Sequence, residues 1–125
     1  VLDGDFSYKR GMQAGKELLD KPKSERPTAI FACNDDMATA VIAVAHGLGL
    51  KVPEDISIAG FDDTAIASAV WPQLTTIHQP IKEMAVRAVK LIDESIKSDG
   101  KEKKVNHYIA PFQLKERGST APLIK

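Results

Sequence analysis

The sequence predicts an α/β fold in which helices flank an open parallel sheet. Two short apolar runs, residues 28–33 and 56–61, have the length and composition of strands. Between them, residues 34–49 carry apolar side chains at helical spacing and end in a glycine-containing turn. A strand, a helix and a second strand in this order need a crossover connection, which makes the two strands parallel.

The segments on either side continue this alternation. Ser7 can cap a helix over residues 7–20, and residues 1–2 before it are expected to end an earlier strand. Residues 64–70 favour a short helix that stops before the Trp71-Pro72 pair, since a residue that precedes proline avoids the helical conformation.

The last third of the chain predicts one long helix and one strand. Pro80 suits the first position of an amphipathic helix that Gly100 ends. Residues 105–111 are expected to form the final strand before an irregular tail.

The charge balance argues against two kinds of partner. Lysine plus arginine and aspartate plus glutamate both number 17, so no net charge attracts a phosphate backbone or an anionic membrane. No apolar run approaches the roughly 20 residues of a membrane-spanning helix. We therefore expect this chain by itself to bind neither DNA nor membrane, and its start at Val1 rather than methionine leads us to expect a fragment of a longer protein.

The single cysteine, Cys33, lies at the end of an apolar run, where a thiol usually behaves as a small buried hydrophobe. We expect it to be buried in the core. One cysteine cannot form an internal disulfide, so nothing in the sequence requires an oxidising compartment.

Polar residues and one aromatic residue follow the predicted strands. In open parallel sheets, ligands bind beyond the carboxyl ends of the strands, where loops and helix N-termini converge. Phe6 follows the first strand end, Asn34 the next strand, and Asp62 the third. An aromatic ring offers an apolar face to a sugar or base, and amide and carboxylate groups bind hydroxyls. The predicted rim suits a polyhydroxylated ligand.

Each of these residues also has a purely structural interpretation. Asn34 and Asp35 are good helix caps, Asp62 and Asp63 could cap the helix that begins near residue 64, and Phe6 could belong to the core. The sequence alone leaves both interpretations open.

The sequence gives little support to catalysis. Adjacent carboxylates in a strand-to-loop turn tend to point apart, so Asp62 and Asp63 make a poor acid–base pair. The three histidines, His46, His78 and His107, lack metal-ligand spacing, and no phosphate loop, dinucleotide fingerprint or nucleophile elbow is present. We therefore expect no enzyme, no metal and no cofactor.

Three ordered blocks resemble the LacI/GalR family of bacterial repressors. They are residues 27–38 (PTAIFACNDDMA), residues 52–63 (VPEDISIAGFDD) and residues 72–80 (PQLTTIHQP). The Gly4-Asp5-Phe6-Ser7 opening and the late Gly118-Ser119-Thr120 segment also fit. The resemblance covers nearly the whole chain.

This resemblance implies a type I periplasmic-binding-protein-like fold with two lobes. Residues 1–79 would form the C-terminal lobe of the effector-binding domain, residues 80–100 a helix that crosses to the first lobe, and residues 101–125 the last strand and tail. It further implies a cytoplasmic homodimer that binds a sugar, nucleoside or purine effector, and that contacts operator DNA through an N-terminal head absent from this chain.

The resemblance also assigns roles to individual residues. Phe6 would stack on the effector, Asn34 and Asp62 would hydrogen-bond it, and Gln79 would line the cleft where the chain crosses between lobes. A short apolar segment matches the family's dimer contact, although ordinary packing is the alternative: Ala65, Ile66, Ala69, Val70 and Trp71.

A different functional class remains as the alternative. A periplasmic sugar receptor of a transporter shares the two-lobed fold and the same cleft. The Val52-Pro53-Glu54-Asp55 turn and the Pro72–Pro80 block resemble repressors more closely, and a receptor would need a signal peptide upstream of Val1.

Overall fold

A four-stranded sheet with flanking helices forms the centre of the protein. The structure is a computed structural model that describes residues 1–97 and 107–123. The strands are β1 (Ala29–Phe31), β2 (Ser57–Asp62), β3 (Thr75–His78) and β4 (Gln113–Lys115), in the spatial order β1-β2-β3-β4. β2 pairs in parallel with both β1 and β3, and β4 makes the sheet mixed. The predicted α/β class with a parallel central sheet is confirmed.

The described residues include four helices, one before β1 and three between successive strands. They are α1 (Tyr8–Leu19), α2 (Asp35–Gly47), α3 (Ala65–Ala69) and α4 (Ile81–Lys97). A three-residue 3-10 turn, Lys23–Glu25, lies between α1 and β1. The Ser7 hydroxyl accepts a hydrogen bond from the Arg10 amide at 3.1 Å, so the predicted cap of α1 is confirmed.

The core forms where α2 packs between α1 and the sheet. Most residues of α2 are buried, since alanine, valine and isoleucine cover its surface on several sides. Gly11 and Gly15 of α1 face α2 closely: a β-carbon at Gly11 would lie 2.8 Å from the Met37 α-carbon. The buried apolar cluster comprises Leu19, Ala32, Met37, Ala38, Val41, Ile42, Val44, Ala45, Val52, Ile56, Ile58, Ala67 and Leu74.

Two predicted strands are wrong. Residues 1–2 form no strand, because no described segment pairs with them. Residues 105–106 of the predicted last strand lie outside the described residues, and residues 107–111 are irregular. Pro111 has no amide hydrogen to donate to a ladder, and the strand forms just after it, at β4.

The expected burial of Cys33 is also wrong. Phe31 is 60% exposed and Cys33 is exposed. β1 lies at the edge of the described sheet, so the outward-facing members of its alternating pattern have no covering layer.

The chain divides into two compact units, one formed by Val1–His78 with Leu114–Lys125 and the other by Gln79–Gln113. In the second unit, the side chains of α4 are exposed and the Arg87 guanidinium lies 3.7 Å from the centre of the Tyr108 ring. The division into lobe, crossing helix and tail stays a prediction. Within the described part of the chain, none of the helices combines the length and the apolar character needed to cross a bilayer.

The close approach of α1 to α2 gives a test of the fold. Gly11→Ala would place a methyl group within 2.9 Å of the Ala40 β-carbon, and we expect the free energy of unfolding to fall by about 1–3 kcal/mol. Gly47→Ala is the matched control, because nothing lies within 4 Å of its β-carbon. Urea unfolding should show this variant unchanged or more stable by up to about 1 kcal/mol. Equal effects at both glycines would contradict the packing described.

Candidate functional site

Three polar residues lie at or just beyond the carboxyl ends of adjacent strands. Phe31 pairs with Ala59. Asn34 lies three residues after Phe31, and Asp62 lies three residues after Ala59. Asp62 in turn pairs with His78 at the end of β3. The parallel register therefore brings the ends of β1, β2 and β3 to one edge of the sheet. We call this edge the rim.

Asn34 connects the start of α2 to the loop that carries Phe6. Its side-chain oxygen accepts a hydrogen bond from the Met37 amide at 2.9 Å, which caps the helix. Its side-chain nitrogen donates to the Phe6 carbonyl oxygen at 2.8 Å. The capping interpretation is thus correct, and the same side chain brings Phe6 to the rim.

Phe6 is not a core residue of this chain, because 64% of it is exposed. The loop before α1 is organised by Asp5, whose carboxylate accepts hydrogen bonds from the Ser7 hydroxyl at 2.6 Å and the Ser7 amide at 2.9 Å. These hydrogen bonds lower the pKa of Asp5. Phe6 is therefore exposed to solvent, and its backbone carbonyl is bonded to Asn34.

Backbone strain is concentrated at the rim. In the part of the chain that the structure describes, positive φ angles at non-glycine residues occur at Phe6 (62°), Asp62 (112°) and Asp63 (55°). Such conformations cost about 1–3 kcal/mol each and persist where surrounding contacts fix them, commonly at ligand sites. The strained residues include two of those predicted to bind ligand.

Asp35 joins the start of α2 to the ends of two strands. Its carboxyl group is fully buried and accepts hydrogen bonds from the Thr76 hydroxyl at 2.6 Å and from the Thr64 amide and hydroxyl at 2.7 and 3.1 Å. A β-carbon at Gly60 would lie 2.5 Å from one Asp35 oxygen, so glycine is required for this approach. Asp35 is thus a structural residue.

Asp63 belongs to an ion-pair network and not to a helix cap. The N-cap of α3 is Thr64, and no side chain caps it, so the capping interpretation of Asp62 and Asp63 is wrong. The Asp63 carboxylate accepts from the Arg117 guanidinium at 2.6 Å and lies 3.0 Å from Nδ1 of His78. Sequence reasoning missed Arg117 and His78, because no local pattern relates residues that are 54 and 15 positions from Asp63.

Electrostatics keeps Asp63 ionised. Burial by itself raises the pKa of this carboxyl group, but the hydrogen bond and charge of Arg117, followed by those of His78, outweigh it and hold the pKa below its ordinary value. Because the folded-state pKa is depressed, the network stabilises the fold above about pH 4 and loses that contribution as the pH falls through the folded-state pKa.

The remaining predicted residues lie in different parts of the chain. Gln79 is half-buried and directly follows β3, where the second unit begins. Trp71 is 82% exposed, and Ala65 and Ala69 of α3 are exposed, whereas Ile66 and Val70 are half-buried. Within residues 1–97 and 107–123, no group of three or more histidine, cysteine, aspartate or glutamate side chains is arranged to hold a metal ion.

An apolar groove that shares Phe6 with the rim runs along the open edge of β1. It has a volume of about 540 Å³, and its lining includes Phe6, Ile30, Phe31 and Met37. Neither Asn34 nor Asp62 lines it. It therefore lacks the paired amide and carboxylate groups that a polyhydroxylated ligand requires, and the rim is the better candidate site.

The comparisons with known proteins decide the family. Residues 3–120 match the family described as the periplasmic binding protein-like domain. The chain belongs to this family. The HTH-type transcriptional regulator DegA of Bacillus subtilis (strain 168) is 42% identical over 98% of this chain and 35% of its own length.

Solved structures of LacI family regulators are similar to this chain. A LacI family transcriptional regulator from Bifidobacterium animalis subsp. lactis DSM 10140 has a TM-score of 0.85 at 37% identity, covering 97% of this chain and 43% of that one. A LacI family regulator from Enterococcus faecium, solved with bound ribose, has a TM-score of 0.78 at 36% identity, covering 94% of this chain and 42% of that one.

These relatives confirm the resemblance to LacI-family regulators and their effector-binding domain. They give less support to the periplasmic receptor, because the named relatives are transcriptional regulators. The chain spans about a third of the length of the curated relatives it matches.

The two hydrogen bonds of Asn34 can be separated experimentally. Asn34→Ala removes both, and we expect it to lower the free energy of unfolding by about 1–2 kcal/mol, the usual cost of losing an N-cap. Asn34→Asp keeps the acceptor for the Met37 amide, so its stability should stay within about 0.5 kcal/mol of the original, while the donor to Phe6 is lost. Urea unfolding of both variants measures the difference, and equal losses would argue against the cap.

Proposed function

We propose that the rim binds a small polyhydroxylated effector, a sugar or nucleoside, and that this binding regulates transcription. The observation that carries the proposal is the placement of Asn34 and Asp62 beyond and at the carboxyl ends of adjacent strands, with the backbone carbonyl of exposed Phe6 hydrogen-bonded to Asn34. The ring would stack on the apolar face of the ligand, and the amide and carboxylate would bind its hydroxyl groups. Gln79 would add a contact from the residue that follows β3.

The comparisons support this class of ligand. The Enterococcus faecium relative was solved with bound ribose, at 36% identity over 94% of this chain. Ribose is also the sugar of nucleosides, so the rim chemistry fits both proposed classes. No metal or cofactor enters the proposal.

In the whole protein, a separate DNA-binding head would contact operator DNA, and effector binding would alter the affinity of the protein for that DNA. Binding without turnover is sufficient for this role, and the protein would act in the cytoplasm. Thermodynamic linkage requires that operator change effector affinity by the same factor that effector changes operator affinity, commonly worth about 1–3 kcal/mol.

The exposed apolar side chains of α4 fit a helix that packs against another part of the protein. Those with the largest exposure are Ile81, Val86, Val89, Ile92 and Ile96. A helix with such a face is normally covered. We assign its cover to the first lobe of the effector-binding domain.

Effector binding is tested by replacing Asp62 in the full-length protein. Asp62→Ala should weaken binding about 30-fold, because a hydrogen-bonded carboxylate contributes about 2 kcal/mol. Isothermal titration with D-ribose, D-glucose, sucrose and adenosine would identify the ligand and measure the loss. Asp20→Ala is the control, since this exposed residue ends α1. Binding that Asp62→Ala leaves unchanged, or no binding of any probe by the original protein, would contradict the proposal.

We assign the homodimer contact to the surface of α3 and the residue pair after it. Trp71 is 82% exposed and follows half-buried Val70. Large exposed aromatic side chains are typical of protein interfaces.

Trp71→Asp should therefore convert the full-length dimer to monomer. We expect the dimer dissociation constant to rise at least about tenfold, since interface tryptophans often contribute more than 2 kcal/mol. Sedimentation velocity at several concentrations measures the change. Leu48→Asp, at an exposed apolar residue after α2, is the control. A dimer that survives Trp71→Asp unchanged would place the contact elsewhere.

A further inference from the structure

The C-terminal tail reaches the end of β2 through a single side chain. One Nη of Arg117 donates to the Leu74 carbonyl oxygen at 2.8 Å, and the other donates to the Asp63 carboxylate at 2.6 Å. The backbone amide of Arg117 donates to the Thr75 hydroxyl at 2.9 Å. Three contacts therefore fix both ends of this arginine.

Ser119 holds the tail in place behind Arg117. Its hydroxyl is fully buried, donates to the Ile58 carbonyl oxygen at 2.6 Å and accepts from the Thr75 amide at 2.8 Å. The Ile58 amide donates to the Ser119 carbonyl oxygen at 2.8 Å. The tail is thus hydrogen-bonded to both β2 and β3, which makes it a firm support for the guanidinium of Arg117.

One carboxylate oxygen of Asp63 contacts Arg117, and the other contacts His78. Its side chain is 14% exposed, and the oxygen that does not contact Arg117 lies 3.0 Å from His78. The Arg117 side chain is 20% exposed, whereas that of His78 is 44% exposed. Partial burial strengthens the Arg117 contact relative to a surface ion pair, so Arg117 is the main anchor and His78 the lesser one.

The anchored carboxylate belongs to a strained turn. Asp62 and Asp63 both have positive φ angles, which L-residues rarely adopt without fixed surroundings. The next residue, Thr64, is held by buried Asp35. The turn that carries Asp62 is therefore fixed on its C-terminal side by contacts to two separate segments of the chain, the tail and the start of α2.

We infer that Arg117, acting through Asp63, is a positioning residue that holds the Asp62 carboxylate in the orientation that binds effector. This inference rests on the proposed function, because it assumes that Asp62 contacts the ligand. It adds that the C-terminal tail, whose Arg117 is more than 50 residues from Asp63 in sequence, sets the affinity of the rim for effector.

The inference predicts that the losses of ribose affinity caused by replacing Arg117 and Asp63 do not add in the double variant. In the full-length protein, Arg117→Met and Asp63→Asn should each weaken D-ribose binding about tenfold. The double variant should bind no more weakly than either single variant, because both substitutions break the same contact between Arg117 and Asp63. Asp55→Asn is the matched control, because this carboxylate also holds a turn, through the Lys51 amide, at the opposite end of β2. It should leave the affinity unchanged.

Hydrogen exchange supplies a readout that needs no ligand. Amides of residues 61–64 should exchange at least about tenfold faster in Asp63→Asn, while amides of residues 12–19 in α1 keep their rate. Arg117→Lys keeps the positive charge and replaces Arg117→Met in the binding experiment if that variant does not fold. Its single ammonium cannot contact Leu74 and Asp63 together as the guanidinium does, so a smaller loss of ribose affinity is expected.

Several outcomes would overturn the inference. They are variants that unfold more easily yet keep full ribose affinity, losses that add in the double variant, and an unchanged exchange rate at residues 61–64. If the original protein binds no D-ribose, the ligand assignment fails separately. The exchange experiment then decides whether the tail fixes the turn. Faster exchange at residues 61–64 in Asp63→Asn would support this role, and an unchanged rate would contradict it.

Discussion

The buried carboxyl group of Asp35 is the contact on which the rim depends. It lies at the first position of α2, and its hydrogen bonds reach Thr64 after β2 and Thr76 within β3. One side chain thereby fixes a helix N-terminus against the ends of two parallel strands. Removing it would leave the buried Thr76 hydroxyl without its acceptor, at a cost of about 1–3 kcal/mol. The required Gly60 shows how closely this group approaches the sheet.

The rim residues divide into those that hold the loops and those that face the ligand. Asp35 and Asp63 hold the turns that follow β1 and β2, whereas Phe6, Asn34 and Asp62 are the proposed contacts. The contacts of Asp35 and Asp63 fix the turn in which Asp62 and Asp63 adopt positive φ angles. Strain at the rim is balanced by hydrogen bonds to the core and to the tail, so the binding geometry is set before ligand arrives.

The sequence predicted the fold and part of the rim because both follow from local patterns. Apolar runs and helical spacing locate β1, α2 and β2, and the residue after each strand in a parallel sheet must lie at one edge. Contacts between distant segments leave no such pattern, which is why the anchor at Arg117 and the position of β4 escaped prediction. Burial of Cys33 was wrong for a related reason, since edge and central strands look alike in sequence.

The most direct test of the account is a crystal structure of the full-length protein with the sugar or nucleoside that binds it most tightly. The account predicts ligand hydroxyls within about 2.7–3.2 Å of the Asn34 amide and the Asp62 carboxylate, with the Phe6 ring against the ligand. Ligand bound instead along the open edge of β1, or near Lys23, Pro53 and Thr120 at the other end of the sheet, would contradict it.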